Sequence, residues 1–368
     1  MSPASPDRFA ACGRDGLHLE AGFENSNPSD ADFVGNEADG TYVIRQFLEA
    51  GAPAGYSFHL NVAFVNEGTA ARRIAVRIQW AEKEFDDAHD YMYIGYDSGA
   101  RWQMLSTPCR DGVTEMALVV PPGRHLLCCS PKFDCADYAA LLRRFEKHPA
   151  LERMNVAQTP GGRTISCLRC GTRGMRKVVL LTRAHAYETA GAYCIDGWLR
   201  DMVRAPDRYA GVLSRLELYV FPMINPDGVA AGHCCLAPSG VNFGNELITR
   251  AEDDTGALGF RDFVLGLKPD FLVDMHNYTG KHQHDAFRCS SQELLDAFAV
   301  VAPDSSYQQK VWSPLNKVYP QNYLIGSCAE RFGARGVLTE FPWYTRLPRD
   351  MREHGRSFLS VLLSLFAA

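Results

Sequence analysis

A chain of 368 residues, 46% hydrophobic and 22% charged, has the length and composition of a globular protein with two domains, which excludes a fibrous or disordered polymer. Its formal net charge of −5 gives no basis for binding nucleic acid or an anionic membrane surface. The opening stretch MSPASPDRFAACGRDG lacks the apolar centre of a signal peptide, and the longest apolar run, FLSVLLSLFAA at 358–368, is too short to span a bilayer and reads as a buried helix end. Twelve scattered cysteines are then read as reduced thiols, mostly in the core, and the expected compartment is the cytoplasm.

Residues 1–130 read as an all-β antiparallel sandwich domain. YSFHLNVAFVN (56–66) and RRIAVRIQWAE (72–82) alternate apolar and polar positions, and shorter strands are expected at YMYIGY (91–96), MALVV (116–120) and HLLCCS (125–130). No catalytic cluster stands out there. Residues 131–368 have a different texture. DYAALLRRFEKH (137–148) has helical periodicity and bridges into the second domain. Strands follow at TISCLRCG (164–171), VVLLTRA (178–184), RLELYVFPMIN (215–225), DFLVDMH (270–276) and RGVLTEF (335–341). Helices are read at IDGWLRDMV (195–203), GFRDFVLGLK (259–268), LLDAFAVVA (294–302) and NYLIGSCAERFG (322–333). Strands alternating with helices imply a three-layer α/β/α domain around a mainly parallel mixed sheet.

The stretch KVVLLTRAHAYETAG (177–191) carries the first chemistry. A buried strand runs into a turn holding His185 and Glu188, three residues apart, at the carboxyl edge where open α/β sheets bind ligands. His276 follows FLVDM as His185 follows VVLLTRA. Two imidazoles and a carboxylate suit zinc, and a hydrolytic zinc site uses three protein ligands and leaves one position open. Glu340, at the end of a further strand, is a candidate base that would take a proton from water and pass it to a leaving amine. The loop HNYTGKHQHDAF (276–287) adds His282 and His284, readable as a second metal pair, a substrate contact or a polar loop with two exposed histidines. Cys167 and Cys170 form a C-x-x-C without a second pair, and strand alternation assigns them to opposite faces, one core and one surface.

These motifs together resemble the zinc carboxypeptidase family, and the whole chain is similar to its cytosolic carboxypeptidase branch. The family's zinc half-motif matches His185, Glu188 and Thr189; its NPDG turn stands in FPMINPDGV (221–229); VDMH ends in the third ligand; GVLTEFPW carries the catalytic Glu340. FENSN (23–27) and SPKFDCADYAALL (130–142) resemble the same branch. The resemblance implies Zn2+ as cofactor, a zinc carboxypeptidase-like fold and hydrolysis of a peptide or small-molecule substrate.

It also exposes departures. The arginine that polarises the scissile carbonyl in the family aligns with Cys235. The Asp-x-Asn-Arg run that clamps a terminal carboxylate aligns with Asn242, Phe243, Gly244 and Asn245, and Gly and Asn lack the bidentate fork and charge of arginine. Asn242 would stand where an Asp orients the first zinc histidine, its amide oxygen still able to accept. The expectation is an amide hydrolase acting on a modified peptide or small acylated metabolite rather than on an ordinary free C-terminus. Two alternatives stand beside it: a true metallocarboxypeptidase with relocated cations, for which Lys281, Arg288 and Arg346 are candidates, and a non-catalytic binding protein on a degenerate scaffold. Asn242, Asn245, Tyr278, Lys281 and Arg346 are the candidate substrate contacts, and Tyr278 and Tyr344 the candidate donors to an oxyanion.

Overall fold

The structure, a computed structural model, describes residues 9–11, 16–27, 34–36, 39–53, 56, 59–80, 90–301, 310–312 and 323–368. The first part of the chain supplies eleven strands: β1 (Phe9–Ala11), β2 (Leu17–Ala21), β3 (Val34–Asn36), β4 (Tyr42–Arg45), β5 (Asn61–Asn66), β6 (Arg72–Gln79), β7 (Tyr91–Tyr96), β8 (Arg101–Ser106), β9 (Cys109–Arg110), β10 (Val113–Val120) and β11 (Gly123–Cys128). They form a six-stranded sheet, β1-β2-β5-β11-β7-β8, and a five-stranded sheet, β3-β4-β6-β10-β9. Alternation decides which side chains go inward. In β6, Ile74, Val76 and Ile78 are buried while Arg73 and Ala75 face water. They meet Leu19, Val62, Phe64 and Leu127 from the other sheet in one apolar layer. The pairing is antiparallel except between β4 and β6, which run parallel. The chain leaves β4, passes through β5 in the opposite sheet and returns beside β4, and such a crossover restores the original direction.

FENSN ties this sandwich to the rest of the molecule. Asn27 accepts from the Asn61 N–H (2.7 Å) and donates to the His59 carbonyl (2.9 Å); the Asn61 amide and the His59 ring both contact the Asn25 carbonyl, at 2.9 and 3.1 Å. On its other side the Asn25 N–H donates to the Ala230 carbonyl at 3.3 Å. Gly232 (φ +69°) lies so close that a Cβ there would sit 1.7 Å from the Ser26 oxygen. Only glycine tolerates both that backbone angle and that approach.

The second part contains α1 (Cys135–Phe145), β12 (Leu151–Gln158), β13 (Thr164–Gly171), β14 (Arg176–Thr182), α2 (Ala190–Arg204), α3 (Pro206–Leu213), β15 (Leu216–Phe221), α4 (Pro226–Ala230), α5 (Thr255–Leu267), β16 (Phe271–His276), β17 (Ala286–Cys289), α6 (Gln292–Val301), β18 (Lys310–Trp312), α7 (Leu324–Phe332), β19 (Arg335–Glu340) and α8 (Pro348–Ala367). The eight-stranded sheet runs β12-β13-β15-β14-β16-β19-β17-β18, and its centre, β15-β14-β16-β19, is parallel. Consecutive residues of β14 feed two cores. Val178 and Leu180 pack on the side of α2 and α8, and Val179 and Leu181 on the side of α5 and α7. Three layers result, as expected for an α/β/α domain.

Some expectations need correction. Cys170 is not a surface thiol. It is buried in the first of these cores and Cys167 in the second, so the opposite-face assignment holds while both faces are covered. The helix after Glu188 starts at Ala190, directly after the turn that carries His185 and Glu188, and Ala190 through Leu199 are all buried. The edge strand β12 went unread because most of its side chains are exposed or half-exposed and give no clear alternation. No described helix is long and apolar enough to cross a membrane.

His59 is buried, and burial holds its pKa down to about 4, from 6.5. The unfolded chain therefore binds a proton that the folded chain refuses between those values, so the contribution is complete above pH 6.5 and is lost as pH falls toward 4. Denaturant titrations of the parent and His59→Gln at pH 7 and pH 4 should show the parent losing on the order of 3 kcal/mol more than the variant over that interval.

Candidate metal centre and active site

The parallel register sets the site. β14 and β16 pair Leu181 with Asp274 and Thr182 with Met275, and β16 and β19 pair His276 with Glu340. The carboxyl ends of three adjacent strands thus finish at one level. From β14 the chain continues right to β15 by way of α2 and α3, and later returns to β16 on the other side of β14. This reversal opens the crevice in which α/β sheets hold ligands.

The turn between β14 and α2 is built to face that crevice. Arg183 takes a left-handed φ of +62° and buries its guanidinium completely, with Asp134 and Glu188 among the negative charges around it. Tyr187 donates its hydroxyl to the Asn277 carbonyl (3.2 Å), and the Asn277 side chain accepts from the first helical N–H, that of Ala190 (2.9 Å). The residue after His276 therefore caps the helix that follows Glu188, and locks the two ligand-bearing loops together.

One ligand atom each from His185, Glu188 and His276 lies within 4.8 Å of the others; it is the one such group of three or more found among the described residues. His185 Nδ1 is 3.1 Å from Glu188 Oε1, and His276 Nδ1 is 2.8 Å from Glu188 Oε2. The second contact is short but not aligned as a hydrogen bond, so Oε2 is buried without a donor. On its far side His276 Nε2 stands 3.1 Å from Asp274 Oδ2. Burial alone would depress His276, yet Asp274 and Glu188 flank it and hold its proton well above the ordinary range. Burial likewise favours a neutral Glu188, but His276 and His185 outweigh it and hold the carboxyl down to about 2. A point between these groups is a place for positive charge. Two imidazoles and one carboxylate, with a buried orphan oxygen and an outer carboxylate behind one histidine, fit a zinc ion held by three protein ligands.

Glu340 closes the group from β19. Burial raises its pKa to about 7, with Glu188 adding to the rise against His276 and Arg288. The cleft in front of these residues has a volume of about 500 Å³, and Tyr56, Asn245, Tyr278 and Arg288 are among its walls.

Of the candidate substrate contacts, Asn245 and Tyr278 line this cleft, and three others are placed elsewhere. Lys281 pairs with Asp90 at 2.9 Å, drawn toward the sandwich by an acid within reach. Arg346 forks onto buried Asp285, at 2.5 and 3.0 Å. Asn242 does not orient His185. Its oxygen accepts from the Gly244 and Asn245 N–H groups (2.8 and 3.1 Å) and caps that turn, and His185 Nε2 is left buried without a partner. Gly244 is backed against this nitrogen so closely that a Cβ would stand 2.4 Å from it. Tyr344 packs on Tyr91 at 5.3 Å between ring centres rather than in the cleft. His282 stacks on Tyr278 at the rim (4.2 Å), and His284 is exposed.

Arg288, one of the three candidate relocated cations, does line the cleft: it sits on β17 opposite Leu338, on the same sheet face as Glu340 and one diagonal step away. Tyr56 comes from the sandwich part, where no catalytic residue was expected, and no local pattern marks it. The pairing of His276 with Asp274 has a measurable consequence. Asp274→Asn should weaken zinc binding by roughly 10–100-fold, read by competition with a chromophoric chelator, while the fold by circular dichroism stays unchanged.

Comparison with known proteins agrees with this geometry. Residues 138–254 match the family described as Zinc carboxypeptidase, a stretch that includes His185 and Glu188 but ends before His276 and Glu340. The chain is similar to cytosolic carboxypeptidase-like protein 5 of Danio rerio, 28% identical over 121 residues, and to that of Homo sapiens, 36% identical over 76 residues. These matches cover 32% and 20% of this chain, and only 13% and 9% of those relatives. Among solved structures, a metallo-carboxypeptidase from Burkholderia cenocepacia superposes with a TM-score of 0.80 at 16% identity, covering 95% of this chain and 98% of that one. The metallo-carboxypeptidase from Pseudomonas aeruginosa, solved in complex with (2-guanidinoethylmercapto)succinic acid, has the same TM-score, identity and coverage. At such identity the likeness is one of fold, and it extends over nearly the whole chain. Residues 138–254 are thus similar to a zinc carboxypeptidase domain, and nearly the whole chain has the fold of the metallo-carboxypeptidases.

Proposed function

We propose that this protein is a zinc-dependent hydrolase of amide bonds, with His185, Glu188 and His276 holding the ion and Glu340 handling the protons. The observation that carries the reading is the convergence of these ligand atoms within 4.8 Å, in a cleft that Glu340 also lines. When bound, zinc supplies a Lewis acid that polarises the carbonyl and acidifies water. Glu340 then accepts the proton of the attacking water and returns it to the departing nitrogen. A carboxyl held near neutrality by its buried surroundings is suited to both halves of that exchange. Asn277 and Tyr187 keep the ligand loops in register.

For the substrate, the turn at 242–245 presents no cation, which supports a reactant that needs no carboxylate clamp there. A second reading is favoured by Arg288, on the same sheet face as Glu340: a substrate with an anionic group received by that guanidinium, as in a carboxypeptidase with relocated recognition.

Glu340→Gln should lower turnover roughly 10²–10⁴-fold while zinc stays bound at one equivalent, measured by metal analysis beside a screen of acylated peptides. Near-parent turnover would remove Glu340 from the mechanism, and a purified chain without zinc would leave only a binding scaffold. The two substrate readings separate on matched N-acyl dipeptides with free and amidated C-termini. If Arg288 receives the carboxylate, Arg288→Gln should raise KM for the free acid roughly tenfold or more and leave the amide unchanged. Equal effects on both would rule that contact out.

A further inference from the structure

Glu49, Ala52 and Tyr56 of the sandwich part are docked on the active-site half by an unusual anchor. The Glu49 carboxylate is buried and accepts three consecutive backbone N–H groups: Cys234 and Cys235 on Oε2, at 3.0 and 2.9 Å, and Leu236 on Oε1, at 2.6 Å. His233 Nδ1 stands 3.2 Å from the same Oε1. Successive N–H groups turned to one point form a nest for an anion, and here the anion is a side chain from the other half of the molecule. Burial works against the charge, but His233 and the N–H groups hold the Glu49 carboxyl below the ordinary range. Ala52 packs into the small cluster of Tyr187, Cys234, Cys235 and Leu236. The Cys235 thiol approaches the Tyr56 carbonyl at 3.6 Å.

The nest is in turn joined to the metal turn. The Tyr187 N–H donates to the Cys234 carbonyl at 3.0 Å, between ligands His185 and Glu188. Glu49 and Tyr56 are thus both held against one loop, and that loop against the ligands. The product of this arrangement is Tyr56 in the wall of the cleft with His185, Glu188, His276 and Glu340. Partial burial, followed by Cys235, Glu340, Tyr323 and Glu188, raises its pKa, so the phenol keeps the proton it would donate. Of the other tyrosines in the cleft wall, Tyr278 is stacked on His282 and engaged toward Arg288.

We propose that Tyr56, carried into the cleft by the Glu49 anchor, is the hydrogen-bond donor that stabilises the oxyanion formed during amide hydrolysis. The inference rests on the hydrolase reading above. Water adds its oxygen to the carbonyl carbon as its proton passes to Glu340, and the carbonyl π pair moves onto oxygen. The Tyr56 O–H donates to that oxygen. The pair then returns, the C–N bond breaks, and the nitrogen leaves with the proton from Glu340. Donors placed where negative charge develops are among the largest contributors to such reactions.

Inorganic phosphate, a tetrahedral oxyanion, tests the site without a known substrate. Isothermal titration of phosphate into the zinc-loaded full chain should show Tyr56→Phe binding about tenfold more weakly than the parent, a loss of about 1.4 kcal/mol, with one zinc retained. Tyr344→Phe should bind as the parent does. Glu49→Gln should reproduce the Tyr56→Phe loss, and the double variant should add little to it, as expected for two residues acting through one contact. Equal phosphate binding by parent and Tyr56→Phe, or none by either, overturns the role of Tyr56 while the zinc content still stands for the hydrolase. A parent chain that takes up no zinc overturns both.

Discussion

A carboxylate between two imidazoles organises this molecule. Glu188 is only 2% exposed, and taking an ionised carboxyl so far from water costs several kcal/mol unless opposite charge compensates it. His185 and His276 supply that compensation in part, and Asp274 behind His276 shows that the surroundings are acidic beyond the pair. A cation between them would complete the balance, and several features of the second half of the chain keep the three groups in place. The parallel strands set their level, Asn277 ties their loops together, and the turn at Gly244 presses against the back of His185.

The sandwich belongs to this constraint rather than standing apart from it. FENSN holds the loop after NPDG, and Glu49 holds the loop at 233–236, so two segments beside the metal turn are shaped by contacts with the other half of the chain. Cys235 illustrates the result. The resemblance to zinc carboxypeptidases sets an arginine at that position, whereas here a fully buried cysteine offers its N–H to Glu49 and packs against Tyr187. A long charged side chain has no room to remain solvated there. The burial of Cys235 and the docking of Glu49 and Tyr56 are two aspects of one local design.

Charge placement follows a similar logic. Lys281, Arg288 and Arg346 are indistinguishable along the sequence, three cations in or near loops that follow site strands. The fold gives each a different acid or neighbour: Asp90 for Lys281, Asp285 for Arg346, and the cleft wall beside Glu340 for Arg288. The first two join elements of the fold, and Arg288 alone of the three lines the cleft.

What the sequence by itself determined is whatever local periodicity and strand-end position encode: the β-rich first part, the alternating α/β second part, and His185, Glu188, His276 and Glu340 at the ends of apolar strands. Period-two and helical patterns arise because each element has one wet and one dry face, so an element exposed on most sides, such as β12, was lost. The tertiary structure alone decided which cation reaches the cleft, that Asn242 caps a turn instead of orienting His185, and that Glu49 and Tyr56 reach the site at all. The Glu49 contacts join residues more than 180 positions apart, and a chain carries no local mark of a partner it meets only after folding.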